Sequence, residues 1–274
     1  ETVLSRWLSR VLNLMAGLKE QGGKAAIDAM KDRGNRLLDL ARIVEAPLPA
    51  TPARRPAARP PVEFRPRNLP ITSIRKLILN PYAVYAGYVL RLRKLATLAP
   101  APDARAKGEA LHLVMEDFVR TIGPDDTPEA MRDRLIATAE RILEDEVPWV
   151  APRLIWLSRL RGASDALIEG ERARQAGGQP VLIEERGRAR VEETEVILNG
   201  RPDRVDRLTD GRLRIVDYKS GAVPTKPEIT TYEMQLALAA GIARRGGFPA
   251  LGQSEAAEMA YVSLKDAREV AVPD

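Results

Sequence analysis

The 274-residue chain contains no cysteine, which excludes disulfides, zinc held by thiolates and any iron–sulfur cluster ligated by cysteine. Lys and Arg number 43 against 38 Asp and Glu, a net charge of +5 that suits a polyanionic partner without requiring one. No apolar run approaches a membrane span, and no signal peptide opens the chain; because it starts at Glu1, a piece of a longer polypeptide or a processed product is expected.

Residues 1–45 read as helical, with Leu4, Leu8, Val11, Leu12 and Met15 on one stripe and Ile27, Met30 and Leu37 to Leu40 following. That is too little apolar surface for an independent core. Residues 46–70 read as a linker: eight of the 21 prolines fall between Pro47 and Pro70, with Arg54, Arg55, Arg59, Arg65 and Arg67. Phe64 is the one aromatic there, so base stacking along the linker has little support. Residues 71–274 hold the main domain.

Within it, Thr72 is expected to cap a helix to about Leu79, and Pro81 to open a second from Tyr82 to about Leu92. Another helix carries His112. Thr127-Pro128-Glu129 starts a helix to about Glu146, and Pro152 one to about Ala176 whose apolar side holds Leu154, Leu157, Leu160 and Leu167. Val181 to Glu185, Gly187 to Val191 and Glu195 to Asn199 read as strands, followed by a hairpin. Thr230-X-X-Glu233 is expected to box the start of the Gln235 helix, which stops at Gly246-Gly247; Ala257 to Leu264 reads as a last strand. This α-β-β-β-α-β order predicts an α/β fold, a mixed sheet flanked by helices with a helical layer ahead of it.

The hairpin carries the chemistry. Val205 to Leu208 and Leu213 to Val216 flank Thr209-Asp210-Gly211, and Asp217 and Lys219 alternate onto one face. A two-residue loop would pair Asp203 with Tyr218 and send the two acids to opposite faces. A three-residue loop with Gly211 left-handed pairs Asp203 with Asp217, and this form, or an equivalent bulge, is the expectation. Like charges so opposed repel unless a cation sits between them. Two acids and a lysine converging this way suit a divalent-cation site for cutting phosphodiesters. Asp-X-Lys alone is common by chance; the hairpin pairing is what gives it weight.

His112 is the one histidine of the chain. Leu111, Val114, Met115 and Phe118 form a helical core stripe, and His112 and Glu116 lie on an adjoining face. A histidine beside such a stripe is ordinarily a packed residue, yet imidazole with two carboxylates is a reasonable set for Mn²⁺ or Mg²⁺. Glu116 reads either as a support behind the metal ligands or as a solvated helix residue, the second being favoured.

Gly108-X-X-X-His112, then Gly200-Arg201-Pro202-Asp203-Arg204-Val205-Asp206, Asp217-Tyr218-Lys219-Ser220-Gly221 and Tyr232-Glu233-Met234-Gln235-Leu236, resemble in order and spacing the RecB-type branch of the PD-(D/E)XK nucleases, over about residues 71–264. The resemblance implies a restriction-endonuclease-like fold and a metal-dependent deoxyribonuclease, with exonuclease action expected. It assigns one or two Mg²⁺ or Mn²⁺ ions to His112, Asp203 and Asp217, with the Tyr218 carbonyl as a further ligand. Asp203, Asp217, Lys219 and Gln235 inherit the catalytic positions, with Tyr232 beside Gln235.

Ile71-Thr72-Ser73-Ile74 and the run Asn80-Pro81-Tyr82 to Leu90 are similar to the opening of the C-terminal nuclease domain in AddB-type subunits of bacterial helicase-nucleases. By that likeness residues 1–45 are the tail of a helicase-like region. The likeness further implies single-stranded DNA at ends made by a helicase in double-strand break repair and recombination, an AddA-type partner subunit, and a bacterial cytoplasmic setting without membrane. Some relatives carry a cluster cysteine where Asn80 stands here, so no iron–sulfur cluster is expected. The alternatives are a catalytically silent DNA-binding or assembly module and a stand-alone Cas4-like or phage-type exonuclease. No Walker-type ATP loop occurs in these residues.

Overall fold

The computed structural model describes residues 3–46, 52–54, 57–95, 97–123 and 125–273. The chain divides into two units, Glu1–Arg55 and Pro56–Asp274. Of the expected linker, residues 47–51, Arg55 and Pro56 lie outside the described residues.

The first unit is a helical pair, α1 (Arg6–Gly17) and α2 (Gly23–Glu45). The Ser5 hydroxyl caps α1, accepting from Leu8 N at 3.2 Å. Gly23 is required where the helices meet, because a Cβ there would stand 1.8 Å from the Met15 carbonyl oxygen. Leu12 and Met15 are half-buried, whereas Leu4, Leu8 and Val11 stay exposed. Two helices cannot enclose more than this.

In the second unit β1 (Asn68–Pro70) forms inside the stretch read as linker and lies parallel to β4 (Ile197–Gly200). The Ile71 N–H donates to the Asn199 carbonyl at 2.9 Å, seating α3 (Thr72–Leu79) beside the sheet. Thr72 does not cap this helix. It is the first helical residue, Ile71 holds the cap position, and no side chain caps it. Asn80 caps α4 (Pro81–Val84), which passes into a π turn (Tyr85–Val89) and ends at Leu90, short of the expected Leu92.

Helices α5 (Ala104–Thr121), α6 (Pro128–Glu146) and α7 (Val150–Gly177) form a layer. Asp103 and Thr127 cap the first two, and Pro152 sits in the first turn of α7, where its missing N–H costs nothing. Leu160 and Leu167 are buried as expected, but Leu154 is exposed near the free start of α7.

The strands make two sheets rather than one. The smaller has the order β1-β4-β3, with β3 spanning Gly187–Arg190. The larger has the order β2-β5-β6-β7-β8, with β2 (Gly178–Ile183), β5 (Arg204–Leu208), β6 (Leu213–Lys219), β7 (Ala256–Ser263) and β8 (Glu269–Ala271). β6 and β7 are parallel and the other pairs of this sheet antiparallel, so the sheet is mixed. β1 and β8 are too short to show a hydrophobic period in sequence.

Alternation along β6 builds a core on each face. Val216 and Tyr218 pack with Val262, Val114, Phe118, Leu135 and Leu167 against the α5–α7 layer. Leu213 and Ile215 pack with Tyr261, Leu236, Ala239, Ile242 and Phe248 beneath α9 (Gln235–Arg244). Each fully buried aliphatic or aromatic side chain contributes roughly 1.5–3 kcal/mol. The expected capping box at Thr230 does not form. Thr225 and Glu228 box the separate helix α8 (Lys226–Thr231), and the Thr230 hydroxyl instead donates back to the Lys226 and Pro227 carbonyls. Among the described residues no helix is long and apolar enough to cross a membrane.

Candidate metal centre

The register of the β5–β6 hairpin positions the acids. Arg204 pairs with Val216, Val205 with Ile215 and Arg207 with Leu213. Leu208 N donates to the Arg212 carbonyl at 2.8 Å, which closes a three-residue loop, and Gly211 takes φ +86°. One step beyond the Arg204–Val216 pair, Asp203 and Asp217 therefore share a face with Lys219. The bulged form anticipated from the loop sequence is the one that occurs.

The two acids divide their partners. Asp203 Oδ2 accepts from the Tyr218 backbone N–H at 2.7 Å and lies 3.3 Å from His112 Nδ1. Asp217 Oδ1 accepts from Gln235 Nε2 at 2.6 Å, and Lys219 Nζ stands 2.6 Å from Oδ2. That last contact is an ion pair, and the Lys219 ammonium is the one partner of buried Oδ2 among the described residues. The Lys219 ammonium also lies 5.2 Å above the ring of Tyr261, the β7 residue paired with Asp217.

Glu184, just past the end of β2, completes a cluster that the sequence pattern did not reveal. His112, Glu184 and Asp203 each offer a ligand atom, all within 4.8 Å of one another. Glu184 holds φ +53°, and its N–H donates to the Asp203 carbonyl at 3.2 Å. A non-glycine residue in that region is uncommon, and it re-aims the carboxylate inward. Arg201 steadies it, with Nε 2.8 Å from Oε2. Asp217 falls outside this tightest group, its oxygens engaged by Gln235 and Lys219. Nothing local in Glu184-Glu185 distinguishes either acid; only the close of β2 against β5 brings Glu184 to His112.

Charge is concentrated here. Burial alone would lower the His112 pKa, but its contacts with Asp203 and Glu184 and the charges of Asp203 and Asp217 push it up to about 10. Burial first, and then the charge of Asp203, push Asp217 up to about 7 against the opposing pull of Lys219 and His112. Asp203 and Glu184 thus favour the protonated form of His112. An imidazole and two carboxylates with ligand atoms within 4.8 Å of one another are a donor set that fits a hard divalent cation.

Glu116 is neither solvated nor in the cluster. Its side chain is 14 % exposed and pairs with Arg120 at 2.7 Å, while Arg120 also donates to the Ile183 carbonyl. Tyr232 ends α8, with its ring under Arg75 at 5.2 Å and its hydroxyl 3.3 Å from Glu228.

Residues 69–273 match the sequence profile of the PD-(D/E)XK nuclease superfamily. The chain belongs to this superfamily. Its mixed sheet flanked by helices is that of a PD-(D/E)XK domain, a family that uses divalent metals, and His112, Glu184 and Asp203 form a candidate site for one. An uncharacterised protein of Rickettsia bellii is 27% identical over 168 residues, 61% of this chain and 20% of the relative. An ATP-dependent helicase/deoxyribonuclease subunit of Streptococcus mutans is 31% identical over 170 residues, 60% of this chain and 15% of the relative. Its counterpart in Streptococcus pyogenes is 25% identical over 162 residues, 57% of this chain and 14% of the relative. The chain spans a fifth or less of the length of these relatives.

Proposed function

We propose that this PD-(D/E)XK domain is a Mg²⁺- or Mn²⁺-dependent deoxyribonuclease, acting from ends on single strands that a helicase produces during double-strand break repair and recombination. The observation that carries this is that His112 and Glu184 gather on Asp203 while Asp217 and Lys219 share its sheet face, residues brought from four separate elements or element ends. Likeness to the streptococcal helicase/deoxyribonuclease subunits supports the helicase-linked role and an AddA-type partner, with residues 1–45 as the tail of a preceding helicase-like region.

In this reading His112, Asp203 and Asp217 hold the ion, with Glu184 joining them and the Tyr218 carbonyl as a further ligand. The bound ion would supply charge neutralisation at the scissile phosphate and a more acidic water. Lys219 donates to the attacking water or a phosphoryl oxygen, where positive charge helps most as negative charge builds. Gln235 orients Asp217 through its 2.6 Å hydrogen bond, and the Tyr261 ring holds the Lys219 ammonium over it.

The experiment is cleavage of end-labelled single-stranded and duplex DNA with Mg²⁺, Mn²⁺ or EDTA, beside Asp217→Ala and Lys219→Ala. Metal-dependent cutting that both substitutions abolish in folded protein is expected. Wild-type rates in either variant would remove the proposal.

A further inference from the structure

Two cavities meet beside the metal centre. One, of about 800 Å³, is lined by Lys219, Lys76 and Glu228 and by Arg75 paired with Glu233 at 3.2 Å; the other, of about 630 Å³, opens between the small sheet and α3. Thr72 and Gln235 line both, so the two adjoin at the side chain that holds Asp217. Thr72 and Gln235 are also the first residues of α3 and α9, and no side chain caps either helix. The two helix starts add partial positive charge there, beside the Glu228 and Glu233 carboxylates of the first cavity.

The second cavity combines two chemistries. Pro70, Ile71 and Pro249 give it an apolar lining, and Arg186 and Arg188 stand along it. Among the described residues neither arginine has a carboxylate within ion-pair distance, unlike Arg201, which is tied to Glu184. The apolar surface exists because glycines let the small sheet close on the α9 region. A Cβ at Gly247 would stand 2.3 Å from the Arg188 carbonyl oxygen, and one at Gly187 2.3 Å from the Phe248 ring. The volume lies within the range of pockets that take a small organic molecule, roughly 300–1,000 Å³.

We infer that this cavity is a subsite for unpaired nucleotides on one side of the scissile phosphate, with Arg186 and Arg188 on the strand's phosphates and a base or sugar against Pro70, Ile71 and Pro249. The inference rests on the nuclease reading for its scissile phosphate. Arginine forks match phosphate oxygens, and an apolar recess takes a base only when its pairing partner is gone. The subsite therefore selects single strands over duplex. It also explains two uncompensated arginines beside a centre rich in carboxylates: they offset the repulsion between those acids and the DNA.

The test is equilibrium binding of a fluorescein-labelled oligothymidylate, read by anisotropy in Mg²⁺ across a range of NaCl, using the 274-residue chain with Asp217→Ala so that the strand stays intact. Adding Arg186→Ala and Arg188→Ala should lower the slope of log affinity against log salt by about 1.4, at about 0.7 per single-strand phosphate. Adding Arg159→Ala and Arg172→Ala instead, on α7 and outside both cavities, removes the same charge and should leave the slope near its starting value. An unchanged slope in the first pair, an equal loss in the second, or an equal loss with blunt duplex would each overturn the subsite. These readings need no cleavage. A chain that binds as inferred while the unsubstituted protein fails to cut with either metal would overturn the nuclease reading and leave the subsite standing as a binding groove.

Discussion

Arg204 and Tyr218 each follow an acid of the metal centre by one residue, and they meet on the opposite face of the sheet, where Arg204 Nη1 donates to the Tyr218 hydroxyl at 3.3 Å. Arg204 is fully buried; its Nε pairs with Asp206 at 2.6 Å and its Nη1 with Glu171 on α7. The strands that aim Asp203 and Asp217 forward are thus tied together from behind.

Removing Arg204 leaves Glu171 and Asp206 buried with most of their countercharge gone. Arg204→Ala should cost about 3–5 kcal/mol, the usual penalty for breaking a buried pair. At roughly 2–4 °C per kcal/mol for a domain of this size, thermal unfolding by circular dichroism should move down by about 6–20 °C. A shift under 2 °C would mean that the network is not what holds the strands.

Cation binding should depend steeply on pH. His112 is held up to about 10 and Asp217 to about 7, and each must give up its proton to serve as a ligand. Affinity for Mn²⁺ should rise with pH from 6 to 9, by up to about tenfold per unit for each proton displaced. Calorimetry in buffers of different ionisation enthalpy should record proton release, and a flat profile would contradict the ligand set.

Stability in EDTA should follow the opposite course. The raised pKa of His112 contributes stability that is complete below its unfolded value near 6.5 and lost as pH rises through about 10. Asp217, also raised, is penalised once it ionises, so its contribution fades from about pH 4 through about 7. The melting temperature should fall between pH 6.5 and 10, and saturating Mn²⁺ should offset the fall.

Gln235→Ala should leave the fold intact, since the side chain is only part-buried, while freeing Asp217 Oδ1. Losing a partner that orients a metal ligand typically costs 10–100-fold in metal affinity or activity. Titration of Mn²⁺ against the variant reads this directly; wild-type affinity together with wild-type cutting would exclude an orienting role.

Gly211 occupies open space, yet at φ +86° an alanine is strained. Gly211→Ala should destabilise by about 1–2 kcal/mol, seen as a lower urea midpoint. The loop sets the register that puts Asp203 on the face of Asp217.

Periodicity and turn chemistry were enough to read the helix of His112 and the helices opened by Thr127-Pro128 and Pro152; the Thr127 cap is a local side-chain bond, and the Asp103 cap is one the sequence reading did not name. They were also enough for the hairpin, because Asp210-Gly211 offers its left-handed residue at one position and the apolar pattern does the rest. They misplaced the box before Gln235, since Thr230 and Thr225 are both plausible caps and only the observed break between α8 and α9 selects the second.

By itself, then, the sequence determined the order of elements, the shared face of Asp203, Asp217 and Lys219, and the family resemblance carried by motifs around His112 and Gln235, all of which depend on neighbours along the chain or across one tight turn. The tertiary structure alone decided that the strands split into two sheets, that Glu184 turns in toward His112, and that Arg204, Glu171 and Tyr218 lock the back of the hairpin. Glu184 lies 72 positions from His112, and Arg204 lies 33 from Glu171. Partners so far apart meet only when a buried sheet closes on its helices, and no local preference of either residue encodes the meeting.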